Sequence, residues 1–326
     1  LVALGVASAL MPWLCATLRV PHTPAGYLAV GYGLLAAFVP LATAALQALG
    51  HFGTLSLAAL AAAPARLAAM VLLLPLLGLS GYFLGQAVPL LVNVAAAAIA
   101  LRPLLFGKAT RAWRSDLRPM ARYALLVGLG AAAGALQGMA ATFAIRHRLA
   151  DDASAAYYLL SRFAEIATYC GGTLGAVLFP YAVAAHVRGE PSRGLRDGVF
   201  GAILLGGALL ALALWLGLPW LFARLPGYAP YVPYAPWAGY LTLAVTLNAA
   251  SASHFAHANA RDDFRYLRYV VPLSLLFAAA FLFLPCRTLA GMLHLLFAAA
   301  FAQFLCVGAE QLCPARGAGH NCVNEQ

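Results

Sequence analysis

Two charged residues lie inside a long apolar stretch, where a charge is costly and its presence predicts a chemical role. Arg162 and Glu165 are three positions apart within residues 155–186. Residues three apart share one face of a helix, so these two side chains can pair. Arg162 is expected to bind an anion through its planar guanidinium, while Glu165 holds it in place or couples to a proton or cation. The alternative is a structural pair whose charges only neutralise each other.

Other polar residues also lie within apolar stretches. Arg66 lies in the middle of 55–79 and is expected to contact an anion, or to extend towards the interface if that helix begins later. Gln137, like Gln47 and Asn248, lies in an apolar stretch. Such an amide is expected to bind hydroxyl groups of a ligand or, more commonly, to hydrogen-bond a neighbouring helix.

Arg146, His147 and Arg148 end the apolar stretch 120–145. They are expected to receive an anion at the membrane surface, or to act as interfacial anchors favoured by the helix dipole. His254 and His257 share a helical face but lack a nearby Cys or carboxylate ligand before Asp262, so no metal site is predicted. The sequence has no GxxxxGK[ST] motif, and direct ATP hydrolysis, enzymatic chemistry and a cofactor are not expected.

The elements that position these residues are apolar stretches long enough to cross a bilayer. Hydrophobic residues make up 63% of the 326-residue chain and charged residues 9%, against about 25% charged in soluble domains. A crossing takes roughly 20 apolar residues, and lipid forces each backbone to hydrogen-bond within its own helix. We predict an all-α polytopic membrane bundle of about ten transmembrane helices. The predicted spans are 1–18, 26–48, 55–79, 81–101, 120–145, 155–186, 198–218, 233–257, 267–284 and 289–311.

The formal net charge of +10 comes from short basic clusters between these stretches, which does not indicate nucleic acid binding. The clusters at 102–122, 186–197 and 259–268 alternate with loops poorer in arginine. Positive charge favours the cytoplasmic side, so both visible ends are predicted to be cytoplasmic.

The basic segment 102–119 divides the chain into four helices and six. We predict a partial N-terminal lobe at 1–101, a cytoplasmic linker at 102–119, a C-terminal lobe at 120–312 and a cytoplasmic tail at 313–326. Many transporters consist of two related halves, so this arrangement predicts a six-plus-six protein whose first two helices are not part of this chain.

Three segments resemble motifs of bacterial oligosaccharide flippases. Residues 45–52 (ALQALGHF) resemble the LQ-x-x-G-x-F cytoplasmic turn after that family's fourth helix. Residues 156–162 (AYYLLSR), followed by LFP at 178–180, resemble its eighth helix. Residues 221–228 resemble its periplasmic turn after the ninth helix. The likeness extends from the family's third helix to its twelfth, within the multidrug/oligosaccharidyl-lipid/polysaccharide exporter superfamily.

The resemblance implies a two-lobed bundle in the bacterial inner membrane that works by alternating access for surface polysaccharide biosynthesis. Its cargo would be an oligosaccharide on an undecaprenyl pyrophosphate carrier, with membrane lipids, a coupling proton or cation and other polysaccharide-assembly proteins as partners. Arg162, Glu165, Arg66, Gln137, Arg146 and Arg148 would be the cargo contacts.

The alternatives are a second transporter of the same fold, a membrane enzyme from another functional class, and a non-catalytic scaffold or pseudogene product. A cation-coupled multidrug exporter of the same fold would need an acidic cavity. Only Glu165 is clearly an intramembrane acid, and it is outnumbered by the basic residues Arg162 and Arg66. A membrane polysaccharide polymerase or ligase would need a large exterior loop with catalytic polar residues. The longest exterior loop, about 218–232, is short and rich in aromatic residues and proline.

Overall fold

The computed structural model describes residues 24–48, 51–100, 102 and 113–312, besides Ala9 and Pro12. These residues form α-helices and one 3₁₀-helix, with no β-strand in the described ranges. The helices are α1 (Pro24–Ala48), α2 (Phe52–Leu77), α3 (Leu79–Ala100), α4 (Trp113–Arg148), α5 (Asp151–Val187), α6 (Arg193–Arg224), the 3₁₀-helix η1 (Ala229–Tyr234), α7 (Trp237–Asn259), α8 (Leu267–Phe283) and α9 (Leu289–Leu312). Most of the predicted span 1–18 and the tail 313–326 lie outside the described residues.

Six of these helices are long and apolar enough to cross a membrane: the qualifying segments lie in α2, α3, α4, α5, α6 and α9. Helix α8 is apolar but shorter, at 17 residues. Large apolar side chains cover the outside of the helices; Leu76 is 77% exposed and Phe283 81%. A soluble domain would bury such side chains, whereas lipid solvates them. The chain is a multi-pass membrane protein.

The chain divides into two compact units, Leu1–Trp113 and Arg114–Gln326. In the N-terminal unit, α3 packs against both α1 and α2. Proline lies inside α2 at Pro64 and Pro75, which membrane helices tolerate because neighbouring groups satisfy the freed carbonyls.

Helix α7 is the centre of the C-terminal unit and packs against α5, α6 and α9. Twelve of its 23 residues are buried, and many of these are Ala, Ser or Thr. A Cβ added to Gly207 of α6 would lie 2.2 Å from side-chain atoms of Thr246. The glycine therefore lets α6 approach α7 closely, as small residues commonly do in membrane helix pairs.

The hydroxyl groups of α7 are satisfied within the helix itself. Thr242 donates to the carbonyl oxygen of Ala238 at 2.7 Å, and Thr246 donates to that of Thr242 at 2.7 Å. Ser251 bonds Leu247 in the same way at 2.9 Å. Local pairing removes most of the cost of burying these groups. Helix α7, which is too polar to be one of the six helices apolar enough to cross a membrane, can therefore occupy the core of the C-terminal unit.

Several helices extend beyond the spans expected from hydropathy. Helix α4 begins at Trp113, inside the predicted linker 102–119, and α6 runs from Arg193 to Arg224 where 198–218 was expected. Hydropathy marks only the part of a helix that lies in hydrocarbon. Backbone hydrogen bonds continue a helix into the interface, where charged residues are tolerated.

Candidate functional site: an exposed ion pair on α5

Arg162 and Glu165 form an ion pair on α5. Nη1 of Arg162 lies 2.9 Å from Oε1 of Glu165 and 3.2 Å from Oε2, so one nitrogen contacts both carboxylate oxygens. The Arg162 side chain is 57% exposed and that of Glu165 39% exposed. The pair is therefore not part of the core of the C-terminal unit. It lies on a face that α6, α7 and α9 leave uncovered.

The pair lies in the first half of α5, nearer to the centre of the helix than to its beginning. Helix α5 has 37 residues, or about 55 Å at 1.5 Å per residue. Glu165 is about 21 Å from the first residue, Asp151, and about 33 Å from the last, Val187. The helix begins four residues earlier than expected. Glu165 is therefore farther from the α4–α5 turn than a start at residue 155 would place it, about 6 Å from the centre of the helix.

The face that carries Arg162 continues along α5. Ile166, Tyr169, Thr173 and Val177 follow at helical spacing and are all exposed. Tyr169, with a polar tip, is 63% exposed. This face offers a cation, an anion, a phenol and a hydroxyl group between apolar side chains. It can contact a ligand that has both polar and hydrocarbon parts.

Arg66 lies on α2 in the N-terminal unit and is half-buried. Helix α2 begins at Phe52, three residues earlier than the expected start of its span. The apolar segment able to cross a membrane starts at Leu60, so Arg66 lies about 9 Å into it. The later helix start that would have placed Arg66 at the interface is not observed.

Arg146 and Arg148 have structural contacts at the end of α4. Arg146 Nη1 lies 3.3 Å from Oδ1 of Asp151 across the α4–α5 turn. Arg148 donates from Nη1 to the carbonyl oxygen of Leu284 and from Nη2 to that of Leu282. These carbonyls lie at the end of α8, where a helix leaves its last acceptors without intrahelical donors. Arg148 thus joins the ends of α4 and α8.

Gln137 is buried and makes the interhelical hydrogen bond that its position in an apolar stretch favours. Gln303 of α9 donates from Nε2 to Oε1 of Gln137 at 3.2 Å and to Oγ of Ser274 at 3.1 Å. These bonds join α4, α8 and α9. They border a cavity of about 380 Å³ that is also lined by Asn248 and Asn259 of α7.

Two further polar contacts were not expected from the sequence. Ser192, the residue before α6, lies with its Oγ 2.8 Å from Nε2 of His257 at the buried end of α7. Tyr240 lies with its hydroxyl 2.9 Å from Nδ1 of His294 on α9. The sequence did indicate that Ser192 and His257 lie at helix ends, because Ser before a helix and His in the last turn of a helix are end-stabilising residues. Their partnership depends on packing that a sequence pattern does not encode.

The loop between α7 and α8 contains a local charge pair. Arg265 donates from Nη2 to Oδ2 of Asp263 at 2.6 Å and from Nε to Oδ1 at 2.9 Å. These bonds lower the pKa of Asp263 below its ordinary value, against the opposing effect of burial. Among the described residues, no group of three or more His, Cys, Asp or Glu side chains could hold a metal ion.

Comparison with known proteins found no family model, no curated protein and no solved structure that matches the chain. The geometry described above is therefore the basis for the function, and the family assignment stays a prediction from the motifs.

Proposed function

We propose that this protein is a membrane transporter of the oligosaccharide flippase family that translocates undecaprenyl-pyrophosphate-linked oligosaccharide across the bacterial inner membrane. The observation that carries the proposal is the exposed Arg162–Glu165 pair on a membrane-spanning helix. A charged residue inside an apolar helix usually faces a cavity or a transport pathway, because lipid makes its exposure costly.

The balance of charge favours an anionic cargo. Away from the helix ends, the apolar segments contain two cationic residues, Arg66 and Arg162, and one acidic residue, Glu165. An anion that leaves water needs charge-assisted hydrogen bonds to compensate its lost hydration, and arginine supplies them in a geometry that fits phosphate. Glu165 holds the guanidinium in position, and the exposed Tyr169 and Thr173 contact the sugar.

The finer architecture belongs to the same proposal. It comprises about ten transmembrane helices in two lobes, both visible ends in the cytoplasm, and alternating access without covalent chemistry. Arg146 and Arg148 support the helix ends at the exterior side in this scheme, and Gln137 fixes the contact between α4 and α9.

A flipping assay tests the proposal. The protein, as its gene encodes it, would be reconstituted into liposomes containing a fluorescent sugar-bearing polyprenyl pyrophosphate. A membrane-impermeant quencher then reports how fast the inner-leaflet pool reaches the outside. We expect faster exchange than in protein-free liposomes, and no acceleration for the same lipid with a neutral alcohol headgroup.

Two results would contradict the proposal. One is exchange no faster than in protein-free liposomes, given intact protein in the membrane. The other is extrusion of a cationic dye driven by an ion gradient while the pyrophosphate lipid stays in place, which would favour the multidrug exporter.

A further inference from the structure

A pocket at one end of the C-terminal unit is lined by basic and aromatic side chains. It has a volume of about 540 Å³ and lies between the end of α4, with His147 and Arg148, and the α8–α9 connection, with Phe283, Pro285 and Arg287. No carboxylate lines it among the residues that the structure describes. We propose that this pocket is a binding site for a phosphate-bearing anion, separate from the Arg162–Glu165 pair. The proposal concerns binding alone and does not rest on the proposed transport function.

Arg148 is held in place for such a ligand. Its two terminal nitrogens each donate to a carbonyl oxygen at the end of α8, Leu284 and Leu282. A guanidinium has five N–H donors, so these two bonds fix its plane and leave donors for an anion. A side chain already fixed by protein contacts loses little conformational entropy when a ligand binds.

Arg287 supplies a second charge to the pocket from the α8–α9 connection. It is exposed, lies in the connection between α8 and α9, and makes no hydrogen bond or ion pair with another described residue. The nearest acid in sequence to the α4 end, Asp151, is engaged by Arg146 and is 94% exposed. Two guanidinium groups therefore line the pocket, and no carboxylate from the described part of the chain lines it with them.

His147 adds a third polar group. It lines the pocket, and its Nε2 atom is buried without a hydrogen-bond partner among the described residues. The ring packs against Phe143, with centroids 4.2 Å apart, which fixes its position. The fixed imidazole therefore forms part of the pocket wall, while the two guanidinium groups supply the donors for the anion.

The position of the pocket indicates the class of anion. The membrane-spanning segment of α4 ends at Arg148 and α8 ends at Phe283. The pocket therefore lies where spans leave the hydrocarbon, at the level of lipid headgroups. Arginine pairs bind phosphate through several parallel hydrogen bonds, and Phe283 and Pro285 give the pocket an apolar side that a lipid chain can contact.

Titration calorimetry of the whole protein in a phosphate-free, neutral detergent tests the proposal. The probes are inorganic pyrophosphate and farnesyl pyrophosphate, with farnesol as the uncharged match. Arg287→Gln should weaken pyrophosphate-group binding by about tenfold or more, as expected for loss of a charge-assisted hydrogen bond. The matched control is Arg224→Gln, because Arg224 is a basic residue at the same end of the unit that stacks on Trp220 outside the pocket.

The two probes distinguish the sources of the phosphate. Binding of farnesyl pyrophosphate but not of the inorganic ion supports a lipid headgroup site, and equal binding of both supports a site for free phosphate groups. The proposal is overturned if neither probe binds saturably, if farnesol binds as tightly as farnesyl pyrophosphate, or if Arg224→Gln weakens binding as much as Arg287→Gln.

Discussion

Replacing Arg162 by alanine leaves Glu165 without the guanidinium that contacts both of its oxygens. The consequence depends on what the exposed face of α5 touches. In a water-filled cavity, an exposed ion pair contributes about 0.2–1 kcal/mol, so its loss barely changes the stability of the protein. Against lipid, a lone carboxylate costs about 2.5–3.5 kcal/mol, which is a large part of the stability of an ordinary domain.

This difference makes two measurements decisive: the amount of protein in the membrane and the rate of lipid flipping. If Arg162 serves an anionic cargo in a cavity, Arg162→Ala should accumulate like the wild type and lose at least tenfold in flipping rate, as expected for one charge-assisted hydrogen bond. Arg188→Ala is the matched control, since it also removes an exposed arginine paired with an acid, Glu190, in the same unit. It should change neither quantity by more than about twofold.

The cargo role would be refuted by a restored double mutant. If Arg162→Ala lowers the amount of protein and the further change Glu165→Ala returns both amount and flipping rate to wild-type values, the pair is structural. A double mutant in which the charges at positions 162 and 165 are exchanged gives an independent check, because an anion contact requires the cation at position 162. Full flipping by the swapped protein contradicts the anion contact.

Three further predictions concern packing, a buried hydrogen bond and topology. Gly207→Ala should lower the free energy of unfolding in detergent by about 1–3 kcal/mol through overpacking against α7. Gly206→Ala should not lower it, because a Cβ at Gly206 would meet nothing within 4 Å. Equal effects of the two substitutions would contradict the close approach of α6 and α7. Ser192→Ala should cost about 1–3 kcal/mol by leaving its buried histidine partner unsatisfied, and Ser192→Thr should retain most of that; an unchanged midpoint for Ser192→Ala would exclude a stabilising bond. In a cysteine-free background, Ala229→Cys should react with an impermeant thiol reagent in intact cells and Arg188→Cys should not; the reverse pattern would overturn the orientation.

The sequence predicted the class of structure well, because lipid permits few alternatives. An uncharged run such as 67–101 in a membrane protein must form helices, and α2 and α3 are found there. Helix ends were predicted less well. The extension of α5 to Asp151 depends on backbone hydrogen bonds that continue through polar residues, and hydropathy does not detect them.

The site was predicted in part. The spacing of Arg162 and Glu165 was sufficient to predict their contact, since helix geometry alone brings i and i+3 together. The partners of Arg148 and Gln137 could not be predicted from the sequence, because they lie at the end of α8 and on α9, more than 130 residues away in the chain. Contacts between distant helices follow from packing, which a single sequence does not reveal.

The C-terminal unit satisfies its polar groups in two ways, and the difference bears on how it can move. The hydroxyls of Thr242 and Thr246 bond within α7 and travel with it, so sliding α6 along α7 breaks none of these bonds. Ser192 and His257, in contrast, join the beginning of α6 to the end of α7 through one buried hydrogen bond. Relative motion of these two helices must break that bond or pivot about it. The close approach of the two helices at Gly207 lies farther along the same pair, so we expect a hinge between α6 and α7 to lie at the Ser192 end.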